Sequence, residues 1–91
     1  MNMDELRGRI DAVDDELLRC FAERMDIAGD IARYKAEHGL PVLDERRERE
    51  KLYAVSEKAP EELQSYAVSL YALLFELSRS RQNRLLHKQS S

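Results

Sequence analysis

An unbroken helical repeat from about Asp4 to His38 constrains this chain more than any other feature. Apolar residues fall at Leu6, Ile10, Val13, Leu17, Phe21, Ala28 and Ile31, mostly three, four or seven apart, which is the period of one helix face. No proline interrupts the run, and its internal glycines are Gly8 and Gly29. Gly29 is expected to weaken the helix by about 1 kcal/mol relative to alanine. Asn2 stands where an N-cap belongs, with Glu5 three residues on as in a capping box. Gly39 followed by Pro41 supplies the stop, a glycine past the helix end and then a residue that cannot continue it. At about 1.5 Å per residue this helix is roughly 50 Å long. The whole chain has 91 residues, a size at which a monomer buries only about 60–65% of its unfolded surface. So long a helix cannot be covered on all sides by what remains. Such helices belong to coiled coils, membrane spans or helical assemblies. No apolar run approaches the roughly 18 residues of a span, so an oligomer that buries the uncovered stripe is expected.

Two more helices are predicted. The second runs from Asp44, a plausible N-cap, to about Lys58, where Ala59 and Pro60 break it. Pro60 suits the first turn of a third helix, with Glu61 and Glu62 favourable to its dipole. That helix carries Leu63, Ala67, Leu70, Leu74 and Leu77 to about Leu86, leaving residues 87–91 as a frayed polar tail. Three glycines and two prolines are too few turn residues for a sandwich or barrel. The expected class is all-α, a single domain over residues 1–91 with one long, one short and one long helix.

Several function classes are excluded. A net charge of −3 gives no general attraction to nucleic acid or an anionic membrane. The run from Glu45 to Lys51 mixes both signs and reads as a solvated face. The single cysteine, Cys20, excludes an internal disulfide framework and a Cys-based metal site, and reads as a small packing residue. The N-terminus lacks a signal-peptide apolar region, so the expectation is a soluble, reduced, cytoplasmic protein. His38 sits near a helix C-terminus and is given no chemistry. There is no phosphate loop, HExxH, zinc spacing or Ser/His/Asp set, and neither metal nor cofactor is expected.

Polar residues stand where the core should be. Arg24 and Lys35 fall in the middle of the apolar stripe, in line with Leu17, Ala28 and Ile31. A cation on a core face costs several kcal/mol unless it is paired or meets an anion. These two are about 16 Å apart along one face, with small Ala28 between them. That suggests a pocket for negative charge. Structural salt bridges, or side chains snorkelling along apolar surface, are the alternative. On the second helix Glu48 continues the apolar line of Leu52, Val55 and Ala59, with Asp44 one turn before it and Arg47 beside it. Asp44 as a simple cap and Glu48 paired with a stripe cation would account for both; a ligand hydroxyl is the sharper partner for Glu48. On the third helix Ser78 and Gln82, four apart, share one edge of the apolar face. Ser78 can back-bond to its own helix, whereas a buried Gln82 needs a partner.

Taken in order, these residues resemble the all-helical (AroQ-class) chorismate mutases. The likeness runs from about Glu5 to Gln82. It is carried by Leu6-Arg7 and Ile10-Asp11, Glu23-Arg24, Tyr34-Lys35, the loop Gly39-Leu40-Pro41-Val42-x-Asp44, Arg47-Glu48-x-Glu50 and Ser78-x-x-x-Gln82. The resemblance implies an intertwined homodimer with two equivalent sites, and the Claisen rearrangement of chorismate to prephenate on the way to phenylalanine and tyrosine. It matches Arg24 to a carboxylate-binding arginine, and Lys35 to a lysine that contacts a carboxylate and the breaking ether oxygen. Gln82 matches the second ether-oxygen donor. Glu48 and the backbone of Asp44 match the contacts to the ring hydroxyl, Ser78 a further carboxylate contact and Arg47 an arginine at the pocket edge. Arg7 matches an arginine contributed across the dimer.

Geometry bears on that last assignment. Arg7 and Arg24 are about 25 Å apart on one straight helix, too far for one small dicarboxylate, but an antiparallel partner could bring its own Arg7 beside Arg24. The chemistry needs no nucleophile, metal or proton transfer. The protein must fold the enolpyruvyl side chain over the ring and stabilise charge growing on the ether oxygen. Gln82 does not titrate, so no acid optimum arises at that position. One departure is Arg81, where the family usually has an apolar residue; from there it can alter the pocket rim or the charge of the site. Isochorismate-pyruvate lyase shares this fold and a similar cationic pocket. A noncatalytic helical dimerisation or regulatory module is the alternative of another class, and in it Arg24, Lys35, Glu48 and Gln82 would satisfy one another.

Overall fold

The structure, a computed structural model, describes residues 1–90, with side chains to His87. Local bonds set the helix ends. The Asn2 side chain accepts from the Glu5 N–H at 2.9 Å, and the first helix, α1, spans Met3–Glu37. At its other end the Leu40 N–H donates to the Lys35 carbonyl at 2.8 Å and the Gly39 N–H to that of Ala36 at 3.4 Å. This pair of bonds closes a helix through a left-handed residue, and Gly39 has φ +65°. The Asp44 side chain accepts from the Arg47 N–H at 3.0 Å and caps α2, Glu45–Lys58.

The third helix differs from expectation at both ends. Pro60 does not open it directly. A short 3-10 turn, Glu61–Leu63, comes first, closed by the Leu63 N–H on the Pro60 carbonyl at 2.8 Å. The helix proper, α3, spans Gln64–Ser90. It therefore runs through most of the expected tail, because no glycine or proline follows Gln82 and Arg84, Leu85, Leu86 and Lys88 are good helix formers. Ser91 lies outside the described residues.

α3 packs against both α1 and α2. The core is narrow: Ala28 and Ala32 of α1 are the buried apolar side chains, with Gly29 beside them. A Cβ built on Gly29 would stand 3.1 Å from Leu85 Cδ1 of α3, so the glycine marks a close approach of the two helices. The N-terminal part of α1 has no such cover. Residues 1–20 are all exposed, and Leu6, Ile10, Val13 and Leu17 are between 41% and 63% exposed. The chain measures 54 × 28 × 14 Å, with a radius of gyration of 16.5 Å against about 12 Å for a compact domain of this length. Its accessible surface is 7446 Å², about 2,000 Å² more than a folded monomer of this mass presents. Among the described residues no helix is long and apolar enough to cross a membrane.

Candidate active site

The packed half of α1, the loop after it, the first turns of α2 and one edge of α3 line a half-open cavity of about 470 Å³, within the range of small-ligand sites. α1 contributes Arg24, Ala28 and Lys35 from one face, and the small Ala28 leaves room between the two cations. α3 contributes Phe75, Ser78, Arg79 and Gln82, while Val42, Asp44, Arg47, Glu48 and Lys51 close the other side. Seven of the eight residues singled out from the sequence thus line one cavity: Arg24, Lys35, Asp44, Arg47, Glu48, Ser78 and Gln82. Arg7, the eighth, sits on the uncovered half of α1, away from the cavity.

The polar partners distinguish between the readings left open above. Arg24 Nη1 donates to Ser78 Oγ at 2.7 Å. Its guanidinium lies 5.9 Å from the Tyr71 ring centroid and 5.8 Å from that of Phe75, close enough for cation–π attraction. Lys35 Nζ donates to the Val42 carbonyl at 2.7 Å, tying the loop to the end of α1. Neither cation has a carboxylate partner among the described residues. The structural salt bridges considered as an alternative are therefore not what holds them. Nor is Ser78 engaged only with its own helix. Gln82 is 6% exposed, and its Oε1 is buried with no hydrogen-bond partner. A buried amide oxygen left open costs free energy that a ligand donor would recover.

Glu48 does pair with a cation, but not one from the α1 stripe. Arg79 Nη1 lies 2.5 Å from both Glu48 carboxylate oxygens. Sequence reasoning singled out neither Arg79 nor Lys51. Lys51 was findable, since it follows Arg47 by one helical turn. Arg81 is exposed and outside the cavity lining. Overall the lining carries five basic side chains against two acidic ones, a net of three positive charges in a chain whose formal charge is −3. Such a concave cluster focuses potential on an anionic ligand. Among the described residues no group of His, Cys, Asp or Glu is arranged as metal ligands would be.

Stretches of the chain are similar to known proteins. A 45-residue stretch is 40% identical to a protein named chorismate mutase from Methanocaldococcus jannaschii, covering 50% of this chain and 46% of that one. A 77-residue stretch is 34% identical to 4-amino-4-deoxychorismate mutase from Streptomyces venezuelae, covering 79% of this chain and 72% of that protein. A 44-residue stretch is 39% identical to the T-protein of Haemophilus influenzae, covering 48% of this chain and only 12% of that protein. The chain thus spans less than half the length of two of these relatives. No solved structure matches it. The profile of chorismate mutase type II aligns with residues 6–83, a stretch that takes in Arg7 and every polar residue of the cavity, and the chain belongs to that family.

Proposed function

We propose that this chain is a chorismate mutase, converting chorismate to prephenate by a [3,3]-sigmatropic Claisen rearrangement. The observation that carries the reading is the excess of unpaired cations around a cavity that also holds the open amide of Gln82. In the step a carbon–carbon bond forms as the ether carbon–oxygen bond breaks, and no atom is gained or lost. Arg24 and Arg47 hold the carboxylates, for which guanidinium offers a permanent charge and paired donors, and Ser78 adds a contact. Lys35 and the Gln82 amide donate to the ether oxygen as negative charge grows on it. Glu48 and the Asp44 backbone meet the ring hydroxyl. Fixing the reactive conformer is a proximity effect, and the two preplaced donors are an electrostatic one. The noncatalytic alternative has Arg24, Lys35, Glu48 and Gln82 satisfying one another. The observed partners, Ser78, the Val42 carbonyl, Arg79 and none for Gln82 Oε1, weigh against it.

The working unit on this reading is an intertwined homodimer of single domains, with Arg7 of each subunit completing the site of the other. Support comes from the surface excess of about 2,000 Å² per chain, which is the scale of obligate interfaces. It also comes from the exposed apolar stripe on which Arg7 lies. The reaction is assigned to the cytoplasm, where the single Cys20 stays reduced.

The test is loss of chorismate and appearance of prephenate with the purified chain, beside Lys35→Ala. Removing the lysine donor should lower kcat by about 10²–10³-fold. Full activity in that variant would end its assignment, and no turnover by the wild type would end the proposal. Pyruvate released from isochorismate would identify the lyase instead. A bicyclic transition-state analogue should raise Tm by mass action.

A further inference from the structure

Among the described residues, Glu48 is the one cavity acid joined to a cation from another helix. Arg79 bridges both of its oxygens from α3, in the turn that also carries Ser78 and Gln82. The two side chains are 29% and 24% exposed, so water screens the pair less than a surface ion pair. On the reading proposed above, Glu48 meets the ring hydroxyl of the substrate. One relative is named for 4-amino-4-deoxychorismate, which by its name carries an amine in place of that hydroxyl. The two substituents make opposite demands. A hydroxyl is neutral and asks only for an acceptor. An amine protonated at neutral pH brings a full positive charge and asks for an uncompensated anion.

We infer that Arg79 sets the substrate class of this site. By occupying Glu48 it leaves the carboxylate able to accept from a neutral ring hydroxyl but unable to balance a ring ammonium, so the chain selects the hydroxylated ring. A cation within hydrogen-bond distance of either Glu48 oxygen would stand about 5 Å from the Arg79 guanidinium, where like charges repel. Discrimination of this kind works by excluding the wrong ligand as much as by holding the right one. Arg79 needs no contact with substrate for this. It is a positioning residue that acts through Glu48, and the inference rests on the chorismate mutase reading.

The experiment measures kcat/KM for chorismate and for 4-amino-4-deoxychorismate in the wild type, Arg79→Met, Arg79→Lys and the double variant Arg79→Met/Glu48→Gln, each checked for helix content by circular dichroism. The wild type should favour chorismate. Arg79→Met should move the ratio toward the amine by about tenfold or more, and Arg79→Lys should keep most of the wild-type preference. The double variant, with a neutral acceptor at 48, should lose the shift. A ratio that moves less than about twofold in a folded Arg79→Met variant overturns the inference and leaves the mutase reading intact. So does a wild type that uses both substrates equally, a result that needs no variant to fold. A wild type inactive on both defeats the mutase reading first, and this inference with it.

Discussion

The two halves of α1 carry the same apolar periodicity and meet different fates. From Phe21 onward part of the stripe lies against α3, and Ala28, Gly29 and Ala32 are buried, while Ile31 stays 43% exposed beside the cavity. Before it, residues 1–20 keep the same spacing of Leu6, Ile10, Val13 and Leu17 with nothing of their own chain upon them. The covered half has small residues at the contact and lets a helix approach; the uncovered half has large ones. A helical repeat therefore tells which face is apolar, while what covers that face depends on length. α3 reaches only part of a helix of 35 residues, and the rest stays exposed. The cations proposed for the site divide along the same line. Arg24 and Lys35 are on the covered half beside the cavity, and Arg7 is on the other.

Charging the uncovered half of α1 should have the greatest consequence. Ile10→Asp combined with Leu17→Asp costs little if those positions face water, since surface changes usually stay within about 0.5 kcal/mol. If a second copy buries them, two unpaired carboxylates cost several kcal/mol each. Sedimentation velocity should then show the wild type as a dimer and the double variant as a monomer, with association weakened by about 10³-fold or more. Equal sedimentation of the two proteins would mean that the stripe is not an interface.

Arg7 sharpens the same point. Arg7→Ala should lower kcat/KM by about 10²-fold or more while the dimer stays intact, as expected for truncating one partner of a buried charged contact. The decisive measurement mixes Arg7→Ala with Lys35→Ala after joint unfolding and refolding. If Arg7 acts across a two-fold interface, half the dimers are mixed and each has one site with both residues present. About a quarter of wild-type activity should return. If Arg7 serves its own subunit, nothing returns.

The covered half is probed at Gly29. Gly29→Leu should lower stability by about 1–3 kcal/mol through overpacking against α3. In Gly29→Ala the better helix propensity, about 1 kcal/mol, is offset by the need to displace Leu85 Cδ1, 3.1 Å from the new carbon. The net change in chemical denaturation should stay within about 1 kcal/mol. Propensity alone makes Gly29 look like a weak spot in a helix; contact with a residue 56 positions later explains it. That contrast is general here. The caps at Asn2, Asp44 and Gly39 were legible in the sequence because each is a bond to a residue a few positions away. The intrusion of Arg24 and Lys35 into the stripe was legible because 100° per residue places both on one face. Their partners were not, since Ser78 and the Val42 carbonyl are reached only through the packing of α3 and the path of the loop.

The smallest expected effect concerns a pair of arginines that a helical wheel cannot separate. At about 100° per residue, Arg79 lies one step to one side of Ser78, and Arg81 one step to the other side of Gln82. Both flank the inward edge, and sequence alone draws attention to Arg81 because it replaces an apolar residue. The choice is made by α2, which packs on α3 and brings Glu48 to the Arg79 side. Arg81 is left exposed, outside the cavity lining. Arg81→Ala should therefore leave kcat/KM within about twofold of wild type and stability within about 0.5 kcal/mol, while Arg79→Met changes substrate preference. A loss of activity in Arg81→Ala as large as in Arg79→Met would mean that a second subunit, not α2, decides which flank of α3 faces the substrate.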